Sequence, residues 1–296
     1  MKNGSVHKCP GGMSSTKPDS IIFIDANLYL DFYRIPATKT LLRGLAAQKD
    51  SIFVTQQIVD EVQRNKLRVA TAFLAGKFQP GSDIPDYLFD ENTTKSLRNK
   101  LKETNAALKK AIAETLERIS RSEDDVSNTL QVIFKKAAGE TEDELLRARK
   151  RKERGNPPGK GSDPLGDELN WEQLVVRAKG KSRLWVITND SDYFDVGEGK
   201  VFLNPLLRQE LEMTLRVYCF KKLDEGIRSF AEVTGVGKEN LPTEKESQEI
   251  VKESEHVQRV NALRDYLQHG NSEERYQEAI KLIGELARKQ LGLFLP

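Results

Sequence analysis

The feature that most constrains this chain is a series of short apolar runs, each leading into a helical pattern. "IIFIDANLYLDFYR", residues 21–34, is the first. Ile21–Ile24 are all apolar and read as a buried strand. Asp25 ends the run, and a helical pattern follows from Ala26 to Arg34, stopping before Pro36. "SIFVT" at 51–55 is a second strand, with Thr55 placed to cap the helix "QQIVDEVQRNK". Much later, the helix "DELNWEQLVVRAKG" precedes the strand "RLWVIT" at 183–188. "NPLLRQELEMTL" is then helical, "RVYCF" a strand and "LDEGIRSFAEVTG" a helix. Strands alternating with helices predict an α/β fold built on a parallel sheet.

The rhythm breaks between about 68 and 155, where no strand pattern occurs. Leu97, Leu101, Leu108, Ile112, Leu116 and Ile119 recur at helical spacing, predicting a long amphipathic helix. A second helical stretch is expected over 123–154, ending in "RARKRKER", and a Gly/Pro-rich loop spans 155–166. These limits divide the chain into a polar, poorly ordered start (1–18), an α/β domain with a helical insertion (19–237) and a helical extension (238–296). The extension holds two amphipathic patterns, 243–268 and 272–291. The first carries Ile250, Val257, Val260, Leu263 and Leu267 on one face. The second carries Tyr276, Ile280, Ile283, Leu286 and Leu291. Each stripe must be buried on the chain's own core, a second copy in a homodimer, or a protein partner.

Composition narrows the classes. A formal net charge of +2 identifies no anionic partner, so local distribution has to carry that argument. The densest basic run is Arg147, Arg149, Lys150, Arg151, Lys152 and Arg154. It is either a nucleic-acid contact or a solvated helix end favoured by the helix dipole. Cys9 and Cys219 are the two cysteines and give neither a disulfide framework nor a ligand spacing. No apolar run approaches the roughly 18 residues of a membrane span, and the start lacks an apolar signal core. A cytoplasmic protein with no membrane partner is expected.

Acids recur at matching places in the rhythm. Asp25 follows the first strand, and Asp190 and Asp192 follow "RLWVIT". Glu61 lies on the helix after "SIFVT", and Asp167 opens the helix after the Gly/Pro loop. In a parallel sheet these positions share one edge, where ligands bind. Each acid alone reads more readily as a cap or turn residue than as a ligand, Asp167 as an N-cap and Asp192 and Asp195 as turn residues. Gathered together they would repel one another unless protonated or bridged by a cation, and oxygen ligands select Mg²⁺ or Mn²⁺. His7, His256 and His269 lie away from these motifs, which points to water activated by a metal rather than a histidine base.

"FIDANLYLDFYR", "VTQQIVDEVQRNK", "PPGKGSDPLGDELNWEQL" and "VITNDSDYF", in this order, resemble the PIN-domain nucleases. The likeness extends to a larger PIN-like subgroup with a helical insertion and a Gly-Asp-x-x-x-Trp motif. The resemblance covers roughly residues 19–235. It implies a three-layer α/β/α sandwich whose acids bind Mg²⁺ or Mn²⁺ and hydrolyse phosphodiester bonds, usually in RNA. By motif, Asp25, Glu61, Asp167 and Asp190 are the implied catalytic metal ligands, with Asp192 a less constant fifth. Asn27 and Thr188 are implied to support them, each with a local turn hydrogen bond as its rival reading. Trp171 reads as a core residue. By analogy, a toxin or antiviral effector is the expected role.

Three rivals remain. A haloacid-dehalogenase-type phosphatase also places an acid after its first strand but needs a second acid two residues on, where this chain has Asn27. A non-catalytic scaffold binding a protein partner has no need of five acids at one edge. A structure-specific DNA nuclease of related fold stays open.

Overall fold

The computed structural model describes residues 19–269, apart from 79–80, 82, 86, 88, 160–164 and 198–199; the side chains of 258 and 260–269 are likewise not described. The expected start is β1 (Ser20–Ile24) and α1 (Ala26–Leu30), tightening into a 3-10 turn over Asp31–Tyr33. After α2 (Leu42–Gln48), β2 is only Ile52–Phe53, shorter than its apolar pattern. Thr55 is used otherwise. Its hydroxyl accepts the Ile58 amide at 3.1 Å and caps α3 (Gln56–Lys77), satisfying a donor that the helix's first turn would leave orphaned.

The insertion comprises α4 (Glu91–Ser120), α5 (Asp125–Phe134) and α6 (Glu142–Glu153). The single helical stretch expected over 123–154 is therefore two helices. The cause is tertiary: Ala138 leaves the helical path to pair with the end of the sheet. Its amide donates to the Val54 carbonyl at 2.9 Å, and its carbonyl accepts the Gln56 amide at 2.8 Å. Thr141 and Glu144 then start α6 with a reciprocal capping box.

The chain returns through α7 (Gly166–Ala178) to β3 (Arg183–Ile187). A hairpin that the sequence pattern did not reveal follows, β4 (Phe194–Gly197) and β5 (Lys200–Leu203). The helix expected over 204–215 is confined to α8 (Pro205–Gln209), followed by β6 (Arg216–Phe220), α9 (Leu223–Thr234) and α10 (Glu244–His269). The second helical pattern of the extension, 272–291, and the N-terminal residues 1–18 lie outside the described residues.

The main sheet is parallel, in the order β2-β1-β3-β6. Every residue of β1 is buried, as a central strand covered on both faces requires. The register sets Ile22, Trp185 and Tyr218 side by side on one face, and Phe23, Val186 and Cys219 on the other. Against the first row, Phe230 of α9 meets the Trp185 ring edge-on at 4.9 Å while Tyr218 stacks on it at 4.4 Å. Beneath the second row, Tyr193 bridges Phe23 to Trp171 of α7 with ring centroids 6.0 and 6.1 Å away. Trp171 is fully buried, a core residue as its helical position suggested. The result is an α/β/α sandwich.

Two anchors tie the outer helices to this core. Lys66 of α3 is buried, and its ammonium donates to Ser122 Oγ at 2.5 Å and Ser127 Oγ at 3.1 Å; Ser127 also bonds the Tyr33 hydroxyl at 2.9 Å. Lys66→Ala should lower the unfolding free energy by about 2–3 kcal/mol, from the vacated volume plus unpaired hydroxyls. Urea unfolding checks this, and a loss below about 0.5 kcal/mol would reject the anchor. The first half of α10 is the other tie. Glu253 accepts the Ala37 amide at 2.9 Å, Arg228 donates to Ser247 at 2.7 Å, and Ile250 is buried. That part of the extension is thus engaged with its own domain. Among the described residues no helix is long and apolar enough to cross a membrane.

Candidate active site

Because the four strands are parallel, their C-terminal ends open on one edge. Strand order reverses between β1 and β3, so the crevice at that edge lies between Asp25, which follows β1, and Thr188–Asp190, which follows β3. Backbone bonds fix the two ends together: the Asp25 amide donates to the Ile187 carbonyl at 3.0 Å. The Asp25 carboxylate is 4% exposed and accepts the Thr188 hydroxyl at 3.0 Å. The Thr188 oxygen in turn accepts the Asp190 amide at 3.0 Å, and Asp190 Oδ1 accepts the Asp192 amide at 3.0 Å. Thr188 therefore does both things considered for it, orienting a carboxylate and closing a local turn. Asp190 likewise caps the 3-10 turn that carries Asp192.

Asp167 reaches the same edge from α7. It is not the N-cap expected of it; Leu165 occupies that position and Asp167 lies within the first turn. A Cβ at Gly166, just before it, would stand 2.7 Å from the side-chain nitrogen of Gln57, on the first turn of α3. The two helices also meet where the Thr55 hydroxyl donates to Asn170 at 2.5 Å. This close approach of α7 to the start of α3 brings Asp167 within the field of Glu61.

The electrostatics show which acids share the site. Burial pushes Asp25 up to about 6, opposed by the Thr188 bond and reinforced by Glu61 and Asp190. Burial pushes Asp167 up to about 7, and the charges of Asp25, Asp190, Glu168 and Asp192 add to it. Glu61 is raised by burial and by Asp167, against the pull of Arg64. All five acids singled out in the sequence are coupled in this way. Asn27 is not drawn in: among the described residues its side chain makes no hydrogen bond, and its carbonyl accepts the Asp31 amide and, at 3.5 Å, the Arg34 guanidinium.

Two groups that sequence reasoning missed belong here. Tyr193 is completely buried, its hydroxyl has no partner among the described residues, and the charges of Asp167, Asp25, Asp190 and Glu168 add to burial in raising it. Glu168 is buried and its Oε2 has no partner among the described residues, while Oε1 lies 3.4 Å from the Lys152 ammonium. Their signal was adjacency, since Tyr193 follows Asp192 and Glu168 follows Asp167, but aromatic and acidic neighbours of a motif are common. Among the described residues no three acids are already gathered as a metal-ligand group. The donor set nevertheless suits a hard divalent cation: carboxylates from four segments and, among the described residues, no sulfur or imidazole with them and buried oxygens without partners beside them.

A family model for the PIN domain matches residues 22–193, more than half of the chain. The chain belongs to the PIN domain family. Its fold is therefore of a nuclease type that generally works with Mg²⁺ or Mn²⁺. No curated protein and no solved structure matches the chain. The match begins inside β1 and ends at Tyr193, so the PIN region takes in all five acids and the helical insertion.

The basic run beside this PIN site is not one uniform surface. Arg151 is buried: its guanidinium donates to Glu172 at 2.7 and 2.9 Å, to Glu210 at 2.6 Å and to the Pro157 carbonyl at 2.6 Å. Arg147 donates to Glu172 at 2.9 Å, and Lys152 pairs with Glu168. Half of the run is thus committed to carboxylates that clamp α6 onto α7 (Glu210 also accepts the Trp171 indole at 2.6 Å). Arg149, Lys150 and Arg154 are exposed, and so is Arg147 despite its bond to Glu172.

Proposed function

We propose that this PIN domain protein is a metal-dependent endoribonuclease, hydrolysing RNA phosphodiester bonds at the edge between β1 and β3. The observation that carries this reading is the convergence of acids from separate segments on the β1–β3 edge, where Thr188 bonds Asp25 and the Asp25 charge adds to burial in raising Asp167. Glu61 and Asp190 add to burial in raising Asp25, and Asp25 and Asp190 are among the charges that add to burial in raising Asp167. Asp25, Glu61, Asp167 and Asp190 would hold Mg²⁺ or Mn²⁺, with Asp192 beside them; such a cation would polarise a phosphoryl oxygen and acidify a bound water. The chain's own contributions are positional. Thr188 fixes the Asp25 carboxylate and, through the same oxygen, the Asp190 turn. Tyr193 holds an unspent hydroxyl donor among the acids. Asp190 and Asp192 lie on a turn rather than inside an element, so they can close on a bound cation with little rearrangement of the sheet.

The test is cleavage of single-stranded RNA, transfer RNA and flapped DNA side by side, in Mg²⁺ or Mn²⁺ and in chelator. Metal-dependent cleavage of RNA by the wild type, lost in Asp25→Ala, supports the reading. Preferential cutting of the DNA flap would move it to the structure-specific DNA nucleases, and equal cleavage by Asp25→Ala would remove the site assignment. The toxin or defence role rests on family analogy, and its readout is growth arrest by the wild type but not by Asp25→Ala.

A further inference from the structure

α4 is a 30-residue helix of which only Thr94 and Ile119 are buried. Helices in proteins owe most of their stability to a packed face, and a helix about 45 Å long that buries two residues adds little to a core. Its charge is also out of proportion. α4 carries seven Lys or Arg against four Asp or Glu, whereas the whole chain is nearly balanced. Some of these cations are occupied: Arg98 with Asp83, and Lys110 with Glu114. Lys95, Lys102 and Lys109 are exposed, and no ion pair is seen for them among the described residues. They stand seven residues apart, close to two helical turns, so they form a single row with steps of about 10.5 Å.

The row is connected to the proposed site by rigid parts. Glu61 lies in the second turn of α3, and α3 packs against α4. The Lys66–Ser122 bond ties α3 to the turn that ends α4, and the Asp90 side chain caps the start of α4 at the Thr93 amide. The helix pair is thus an arm rooted beside the acids, with a line of free ammonium groups along one side.

We infer that Lys95, Lys102 and Lys109 form a binding track for the phosphate backbone of single-stranded RNA, holding the strand that enters or leaves the acid crevice. This rests on the endoribonuclease reading above and gives the insertion a task in it. Charge complementarity selects the occupant: evenly spaced, unpaired lysines match a flexible polyanion, whereas a folded partner would meet a row with no apolar anchor. The α6 run offers fewer free cations for such a contact, since half of them are spent on Glu172, Glu210 and Glu168.

The experiment uses the full chain and the triple variant Lys95→Gln, Lys102→Gln, Lys109→Gln. Binding of a 20-nucleotide and a 4-nucleotide single-stranded RNA is followed by fluorescence anisotropy in chelator between 50 and 200 mM salt. Cleavage of each RNA is then measured with Mg²⁺. For the long RNA, losing three phosphate contacts should lower the log–log salt slope by about 2 and weaken binding by at least 10-fold at the lower salt. The short RNA, confined to the crevice, should be cleaved at an unchanged rate. An unchanged slope for the long RNA, in a variant that melts like the wild type, overturns the track while leaving the nuclease reading intact. A wild type that neither binds nor cleaves RNA overturns both.

Discussion

Asp167→Asn should abolish metal-dependent cleavage, by at least about 10²–10³-fold, and at the same time raise the melting temperature of the metal-free protein. Both effects have one cause. Asp167 sits where burial and the charges of Asp25, Asp190, Glu168 and Asp192 all oppose its ionisation. At neutral pH the metal-free fold must hold this charge or carry an extra proton, and the amide removes that conflict. A relief on the order of 1–2 kcal/mol corresponds to roughly 2–6 °C for a domain of this size. Cleavage falls because the amide cannot supply the anionic ligand that offsets a divalent cation. The pH dependence has a definite sign. Asp25 and Asp167, raised to about 6 and about 7, bind protons in the folded state that the unfolded chain releases near pH 4. Their contribution to stability is fully present below pH 4 and is lost as pH rises through 6–7. Metal-free wild type should therefore lose melting temperature between pH 5 and 7, and Asp167→Asn should lose less. Excess Mg²⁺ or Mn²⁺ should reverse the loss in the wild type more than in the variant, by mass action. Thermal melts across this pH range, with and without metal, decide it. A variant that melts below the wild type at pH 7 in chelator would show that the acids are not in conflict.

The second large effect is on stability alone. Arg151→Ala should cost about 3–5 kcal/mol, because it leaves Glu172 without its main partner in a buried clamp and takes one partner from Glu210. Arg151→Lys should recover only part of this, since an ammonium cannot span Glu172, Glu210 and the Pro157 carbonyl as the planar guanidinium does. Arg149→Ala, two residues away and exposed, should stay within about 0.5 kcal/mol of the wild type. Urea midpoints for the three variants separate a structural clamp from a solvated basic face. Similar small losses for all three would return the run to the solvent.

The contrast between Arg151 and Arg149 also shows where sequence reading stops. Both sit in one string of cations, and what distinguishes them is Glu172 and Glu210, placed 21 and 59 residues away by the fold. Local patterns reached as far as local causes did. Thr55 as a cap, β1 and β3 as strands and Trp171 as core all follow from spacing and residue type. The acids after β1 and β3 were legible together because a parallel sheet obliges strand ends to share an edge. The break at 135–141 was not legible, since Ala138 leaves the helix to bridge Thr55, just beyond β2, a partner that no neighbouring residue announces. Tyr193 was hidden for a similar reason: its hydroxyl matters through three acids carried by other elements.

Ala138 has a wider meaning than a broken helix. β2 is the outermost strand and only two residues long, and the backbone of Ala138 lies against its end at Val54–Gln56. The insertion thus shields an open margin of the sheet, the kind of margin along which chains stick together. Trimming the insertion away should therefore open that margin and yield a product more prone to edge-to-edge aggregation than the full chain.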